Sequence, residues 1–93
     1  LHENPLAEPQ PETYAWIFPN PSHGSFSLAL PESLQGDLHI QLTDLNGRAL
    51  WETHIPHHSG GKIPLDLPKL SPGVYPVHIR LGEFTQVLKA KVY

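Results

Sequence analysis

Apolar and polar residues alternate with a period of two along most of the chain, and this pattern constrains the fold more than any other feature. Successive side chains of a β-strand point to opposite faces, so such alternation gives a strand one buried face and one exposed face. The sequence therefore predicts a half-buried β-sheet protein. The apolar members of its four clearest runs are Phe26, Leu28 and Leu30; Leu38, Ile40 and Leu42; Ile63, Leu65 and Leu67; and Tyr75, Val77, Ile79 and Leu81.

Turn-forming residues separate these runs. The 93 residues include 11 prolines and seven glycines, which disfavour long helices. Turn signals that recur about every 8–12 residues are typical of a β-sandwich or β-barrel. We expect seven strands, near residues 14–18, 24–30, 36–44, 48–55, 61–67, 73–81 and 84–92.

The stretch DLNGR, residues 44–48, predicts a hairpin because Asn-Gly is the strongest short-range hairpin signal. Two registers fit it. A two-residue turn sets Leu42 opposite Trp51 and Leu38 opposite Ile55. The alternative is a three-residue loop in which Gly47 occupies a bulge and Asp44 caps the turn.

The stretch LGEF, residues 81–84, predicts a second tight turn with Gly82 in its first central position. This turn sets Tyr75 opposite Ala90 and Pro76 opposite Lys89. Proline has no N–H to donate to a ladder. We therefore expect strand 73–81 to lack a regular partner at Pro76 on the side away from the last strand.

The first 13 residues, LHENPLAEPQPET, contain three prolines and only two large apolar side chains. Such a segment buries too little apolar surface to offset the entropy of ordering it. We therefore interpret residues 1–13 as a Pro-rich flexible linker and residues 14–93 as one folded domain. Because the chain starts with Leu1 rather than Met, we expect it to be a fragment or a processed piece of a longer protein.

Composition excludes several functional classes. The net charge of −3 argues against nucleic-acid binding, which favours a basic surface. The absence of cysteine excludes disulfides and thiolate chemistry. No apolar run approaches the roughly 18 residues that a membrane-spanning helix needs.

Seven histidines prompt the question of a metal site. His54, His57 and His58 lie close together, and one hairpin register sets His39 opposite His54. However, no carboxylate or thiolate recurs at ligand spacing, and HIPHHSGG has the composition of a mobile loop. We predict no native metal site and no cofactor.

Catalysis is not predicted either, because Ser22 and its neighbour His23 lack the strand–elbow–helix context of a serine nucleophile. We therefore expect no enzymatic activity. The aromatic side chains Phe18, Phe26, Trp51, Tyr75 and Phe84 are assigned to the core.

Three blocks, in this order, resemble a known family. IFPNPSHGSF opens the domain, LHIQLTDLNGRAL follows, and KIPLDLPKLSPGVYPVHI precedes a lysine-containing end. Together they resemble the type A C-terminal sorting domain of proteins exported by the type IX secretion system of Bacteroidota. The structural motif residues that match are Pro19, Asn20, Pro21, Gly24, Phe26, Asp44, Gly47 and Arg48.

The resemblance implies an immunoglobulin-like β-sandwich of about seven antiparallel strands, serving as an address for an upstream cargo. The cargo is directed across the outer membrane, after transit through the periplasm, by the type IX translocon and its outer-membrane β-barrel shuttle. A cell-surface sortase then cuts within residues 1–13 and anchors the cargo. We therefore expect a secreted or cell-surface protein, with Tyr93 at or near the native C-terminus.

Translocon recognition is assigned to Gly73, Val74, Tyr75, Lys89, Lys91 and Val92. The ending KAKVY leaves open whether Lys89 or Lys91 matches the usual lysine of the family. Both lysines lie on one face of the last strand, where they either protect a sheet edge or are read by a partner that adds a strand. The alternative function is an accessory fibronectin-like or immunoglobulin-like spacer, or a carbohydrate-binding module, and it predicts an exposed aromatic platform.

Overall fold

The computed structural model describes residues 15–93, so the predicted linker and Tyr14 lie outside the described residues. The described chain is all-β, which confirms the predicted class. It contains no helix, and therefore none suited to crossing a membrane. The strands are β1 (Trp16–Phe18), β2 (Phe26–Thr43), β3 (Ala49–Leu65), β4 (Gly73–Leu81) and β5 (Phe84–Val92).

β2 is the central strand of one five-stranded antiparallel sheet. β3 pairs with β2 along nearly its whole length. On the other side of β2, the first half pairs with β1 and the second half pairs with β4, which in turn pairs with β5. The sheet is open and curled, and its curl brings the segment after β1 against β5, where Ser22 forms a parallel bridge with Val92.

Across residues 15–93, five strands replace the seven that the sequence predicts. β2 contains the two predicted strands 24–30 and 36–44 almost entirely, and β3 contains most of 48–55 and 61–67. The ladder between β2 and β3 shifts register at residues 30–38 instead of ending. The predicted HIPHHSGG loop is therefore part of β3. The strand count is wrong because proline and glycine mark bends within strands here, not the ends of strands.

The two long strands bend where Gly60 of β3 crosses Pro31 of β2. A Cβ atom on Gly60 would overlap the carbonyl oxygen of Pro31 and lie 2.6 Å from its carbonyl carbon. It would also lie 2.8 Å from the Cα of Glu32. Because all of these atoms are backbone, no rotamer change can relieve the overlap, and the crossing requires glycine.

A single hydrophobic core lies inside the curled sheet. Leu28 and Leu30, from the first half of β2, belong to the same buried cluster as Leu38, Ile40 and Leu42 from its second half. The inward residues of β4, which are Val77, Ile79 and Leu81, complete it. The period-two prediction of these core residues is confirmed. Both halves of β2 contribute side chains to one core, so the strand must fold over that core.

The turn between β2 and β3 combines the two predicted registers. Thr43 faces Ala49, as the three-residue loop requires. Leu42 faces Trp51, as the two-residue turn requires, so Leu50 is the extra residue of a β-bulge. A one-residue bulge thus makes each alternative correct over part of the hairpin.

The side chains of β1 do not point as predicted. Ile17 faces Leu28 and is buried, whereas Phe18 lies on the outer face. There the Phe18 ring lies 6.0 Å from the Trp16 ring, and the Lys62 Nζ lies 6.0 Å from the Phe18 ring. The core assignment of Phe18 is wrong because three consecutive apolar residues contain no alternation that could define a face.

Candidate functional site

The hairpin of β4 and β5 has the predicted register. Tyr75 faces Ala90, and Pro76 faces Lys89. The pairing of β4 with β2 stops at Val77, so Pro76 has no ladder partner on that side among residues 15–93, as predicted. This register makes the six residues assigned to recognition neighbours in the ladder: Gly73, Val74, Tyr75, Lys89, Lys91 and Val92. They do not share one face, because Val92 is buried in the core and Tyr75 packs against it, whereas Lys89 and Lys91 point outward.

The segment Pro19–Ser22, here called the clasp, binds the outer edge of β5. The side chain of Asn20 donates from Nδ2 to the Lys89 carbonyl oxygen (2.7 Å), and its Oδ1 accepts from the Lys91 N–H (3.0 Å). The Ser22 N–H donates to the Lys91 carbonyl oxygen, and the Tyr93 N–H donates to the Ser22 carbonyl oxygen, both at 3.0 Å. These four hydrogen bonds join the first family block to the lysine-containing end of the chain.

Ser22 also organises the turn that leads from the clasp into β2. Its buried Oγ accepts from the N–H groups of Gly24 (3.2 Å) and Ser25 (3.0 Å), and it donates to the Ser25 carbonyl oxygen (2.7 Å). The neighbouring His23 ring lies against the Tyr93 ring, with centroids 4.7 Å apart. The Ser22 hydroxyl is therefore engaged with backbone groups. Its role follows from the tendency of serine to bond nearby backbone in turns, a signal that the sequence interpretation overlooked.

At the other end of the contact between β1 and β5, the Gln86 side chain binds the backbone of Ala15. Its Oε1 accepts from the Ala15 N–H, and its Nε2 donates to the Ala15 carbonyl oxygen, both at 2.9 Å. The sequence interpretation missed this residue. The available signal was its amide at an inward position, between Phe84 and Leu88 on the apolar face of the strand.

The outer row of β5, together with Val74 across from it, forms an exposed surface that we call the lysine face. It consists of Val87, Lys89 and Lys91 of β5, Tyr93 directly after the strand, and Val74 of β4. Three of the four large hydrophobic residues exposed within residues 15–93 lie here: Val74 (36%), Val87 (59%) and Tyr93 (57%). Within the same residues, neither lysine forms a salt bridge. Among the residues that the structure describes, the face therefore presents two cations without a salt-bridge partner beside three exposed apolar side chains.

The second family block lies elsewhere, in the turn between β2 and β3. Asp44 Oδ1 accepts from the N–H groups of Asn46 and Arg48, both at 2.9 Å, and the Gly47 N–H donates to the Asp44 carbonyl oxygen at 3.1 Å. The hydrogen bond from Arg48 is the main cause that lowers the pKa of Asp44. Gly47 has a φ of 85°, which glycine adopts without strain. Asp44, Gly47 and Arg48 therefore shape a turn, and no hydrogen bond within residues 15–93 joins them to the clasp.

His39, His54 and His78 lie on the outer face of the sheet. His39 faces His54, and their rings stack with centroids 4.1 Å apart. Within residues 15–93, no three histidine or carboxylate side chains are grouped so as to hold a metal ion.

The model of the secretion system C-terminal sorting domain family matches residues 16–92, from the first residue of β1 to the last residue of β5. The chain belongs to the type IX secretion C-terminal sorting domain family. No curated protein sequence matches the chain. The sorting domain is thus a signal for export by the type IX machinery, out of the cell or to its surface, and the family implies an origin in Bacteroidota. Its family is not an enzymatic one.

Proposed function

We propose that this sorting domain delivers an upstream cargo through the type IX translocon and that the translocon reads its lysine face. The domain passes through the periplasm and is received by the outer-membrane β-barrel shuttle. A cell-surface sortase then cuts within residues 1–13 and anchors the cargo. Family membership supports the sorting role, and the exposure of the last strand supports the proposed surface.

The observation that carries the proposed surface is the presence of Lys89 and Lys91 on a strand whose edge is already covered. Lysines commonly protect a free sheet edge from pairing with another chain. Here Asn20 and Ser22 occupy the edge of β5 beside these lysines. Edge protection therefore does not account for the two cations, whereas recognition by a partner does.

We also propose that the curled sheet corresponds to an immunoglobulin-like sandwich in which β2 and β3 each contribute to both layers. Counting each half of these two strands separately gives the seven segments that the sequence predicts. The Tyr75 hydroxyl donates to the Ser71 carbonyl oxygen, a contact similar to the tyrosine corner of such domains. An experimental structure tests this by the separation of the two halves of β2, since packed sheets lie about 10 Å apart.

The experiment fuses residues 1–93 behind a signal peptide and a fluorescent reporter in a Bacteroidota host. Replacing Lys89 and Lys91 with alanine should retain the reporter in the periplasm. The matched control replaces Lys62 and Lys69, which are also exposed and carry the same charge, and should be delivered normally. Both variants should stay within about 0.5 kcal/mol of the native stability, because surface substitutions rarely exceed that.

Two results would contradict the proposal at different levels. Normal delivery of the Lys89 and Lys91 variant would show that the lysine face is not read. Delivery of the unmodified fusion in a mutant that lacks the translocon would show that residues 1–93 do not act as the sorting signal of that system.

The accessory-module alternative predicts an exposed aromatic platform. The outward pair Trp16 and Phe18 is the nearest equivalent, but both rings are half-buried and the pair extends over only one short strand. This pair does not favour a carbohydrate-binding function.

A further inference from the structure

We infer that the clasp holds the end of β5 as a preformed surface, and that the lysine face docks through its side chains onto an acidic, partly apolar surface of the translocon. This inference rests on the proposed function and specifies how the recognition occurs. Asn20 is a positioning residue in this mechanism, because it acts through the backbone of Lys89 and Lys91.

The clasp reproduces the hydrogen bonds of a parallel β-strand. In a parallel ladder, one residue donates to the carbonyl oxygen of one neighbour and accepts from the N–H two residues further along. Ser22 bonds to Lys91 and Tyr93 in this way through its backbone. Asn20 bonds to Lys89 and Lys91 in the same way, but through its side-chain amide. The side-chain amide of Asn20 thus takes the place of the backbone N–H and C=O that a regular parallel strand would use at this position.

This arrangement leaves no room for a partner to add a strand at the end of β5. The outward backbone groups of Lys91 and the N–H of Tyr93 already have partners in the clasp. Strand addition there would first have to displace Asn20 and Ser22. The earlier expectation that this part of the edge supplies backbone hydrogen bonds to a receptor is therefore replaced by recognition through side chains.

The pinned strand also reduces the entropy lost on binding. The last residues of a folded chain usually fray unless they are tied down. Four hydrogen bonds tie residues 89–93 to the clasp. A backbone that is ordered before binding loses less conformational entropy at the interface, which favours affinity.

The chemistry of the face identifies the kind of partner. Lys89 and Lys91 lie two residues apart on one face, which separates their Cα atoms by roughly 7 Å. Their cross-strand neighbours, Pro76 and Val74, carry no charge. A complementary surface therefore offers carboxylates to the two lysines and apolar side chains to Val74, Val87 and Tyr93, since complementary charge steers and orients such encounters.

The first experiment compares Asn20→Ala with Asn46→Ala. Both change an exposed asparagine, but the side chain of Asn46 forms no hydrogen bond within residues 15–93. Amide hydrogen exchange of the 93-residue chain should show the Lys91 N–H exchanging roughly fivefold faster in Asn20→Ala, as expected for one lost hydrogen bond. The Ala90 N–H, which points toward β4, should be unchanged. An unchanged Lys91 exchange rate would overturn the clasp.

The second experiment measures binding of the same chains to outer-membrane vesicles from a Bacteroidota strain with the type IX machinery, with vesicles from a translocon mutant as background. Asn20→Ala should bind about three- to tenfold more weakly than Asn46→Ala. Ile63→Val, in a half-buried position, serves as a variant with a comparable loss of stability and should bind normally. Tighter binding of Asn20→Ala would indicate strand addition and overturn the inference. Equal binding, or equal weakening by Ile63→Val, would show that the clasp plays no specific part in recognition.

Charge variants test the acidic partner. Lys89→Arg with Lys91→Arg should retain binding and its sensitivity to salt, whereas Lys89→Gln with Lys91→Gln should lose both. If the glutamine variant binds normally, the proposal that the translocon recognises the lysine face is wrong. If the glutamine variant fails but Asn20→Ala binds normally, only the inference about the clasp is wrong.

Discussion

Gly60→Ala should destabilise the domain more than any other replacement by a single methyl group at a glycine. The added Cβ would lie 2.6 Å from the Pro31 carbonyl carbon and 2.8 Å from the Glu32 Cα. Carbon atoms in contact normally lie about 3.5–4.0 Å apart, so the two strands must separate by roughly 1 Å. Overpacking in a tight site costs about 1–3 kcal/mol, and backbone against backbone favours the upper end of that range.

A loss of about 3 kcal/mol is a large part of the 5–15 kcal/mol that stabilises a typical domain. For a domain of this size it corresponds to a decrease in Tm of roughly 12–24 °C. The assay is urea denaturation followed by tryptophan fluorescence, together with a thermal melt. Ser59→Ala, an exposed neighbour on the same strand, is the control and should unfold within about 0.5 kcal/mol of the native chain. Equal unfolding midpoints for Gly60→Ala and the native chain would refute the close crossing of β2 and β3.

Three further predictions concern side chains that close turns and seams. Asp44→Asn should lower stability at neutral pH. Because the pKa of Asp44 is lowered in the fold, the carboxylate stabilises the domain above the ordinary carboxyl pKa. Denaturation at decreasing pH should show that the stability difference between Asp44→Asn and the native chain disappears as the pH falls through the folded-state pKa. Gln86→Ala removes both hydrogen bonds to Ala15, so urea denaturation should show a loss of about 1–3 kcal/mol. Tyr75→Phe removes the bond to Ser71, and thermal melts should show a loss of about 1 kcal/mol.

The sequence predicts the β4–β5 hairpin in full because local signals agree there. A two-residue turn begins with Gly82, and apolar residues alternate on both sides of it, so one register satisfies both. The observed pairs Tyr75–Ala90 and Pro76–Lys89 match that register. Likewise, the core positions of β2 and β4 follow from alternation alone, since a slip of one residue would expose an entire apolar face.

The bends of β2 and β3 could not be predicted, because proline and glycine are compatible with both a loop and an irregular strand. At Pro31 and Gly60 the ladder resumes after a shift in register, and only the partner strand decides this. The composition of one segment does not show whether a neighbouring strand stays paired with it. The strand count therefore depended on tertiary pairing.

The candidate site could likewise be predicted from the sequence only in part. The lysines and their β4 neighbours could be placed together from the hairpin register. The clasp could not, because Asn20 bonds to residues 69 and 71 positions away through a side chain. No periodic pattern encodes such a contact. The isolated asparagine between two prolines indicated a turn, and its second role depends on how the sheet curls.

Because the clasp binds β5, the proposed recognition surface can form only after β5 has been synthesised. Asn20 enters the growing chain long before the strand it binds, and its partners are Lys89 and Lys91. If the ribosome stalls or terminates early, the backbone groups to which Asn20 and Ser22 bind are missing. Under the proposed function, a truncated product therefore lacks the pinned surface, and export would select for cargo whose translation had run to the end of this domain.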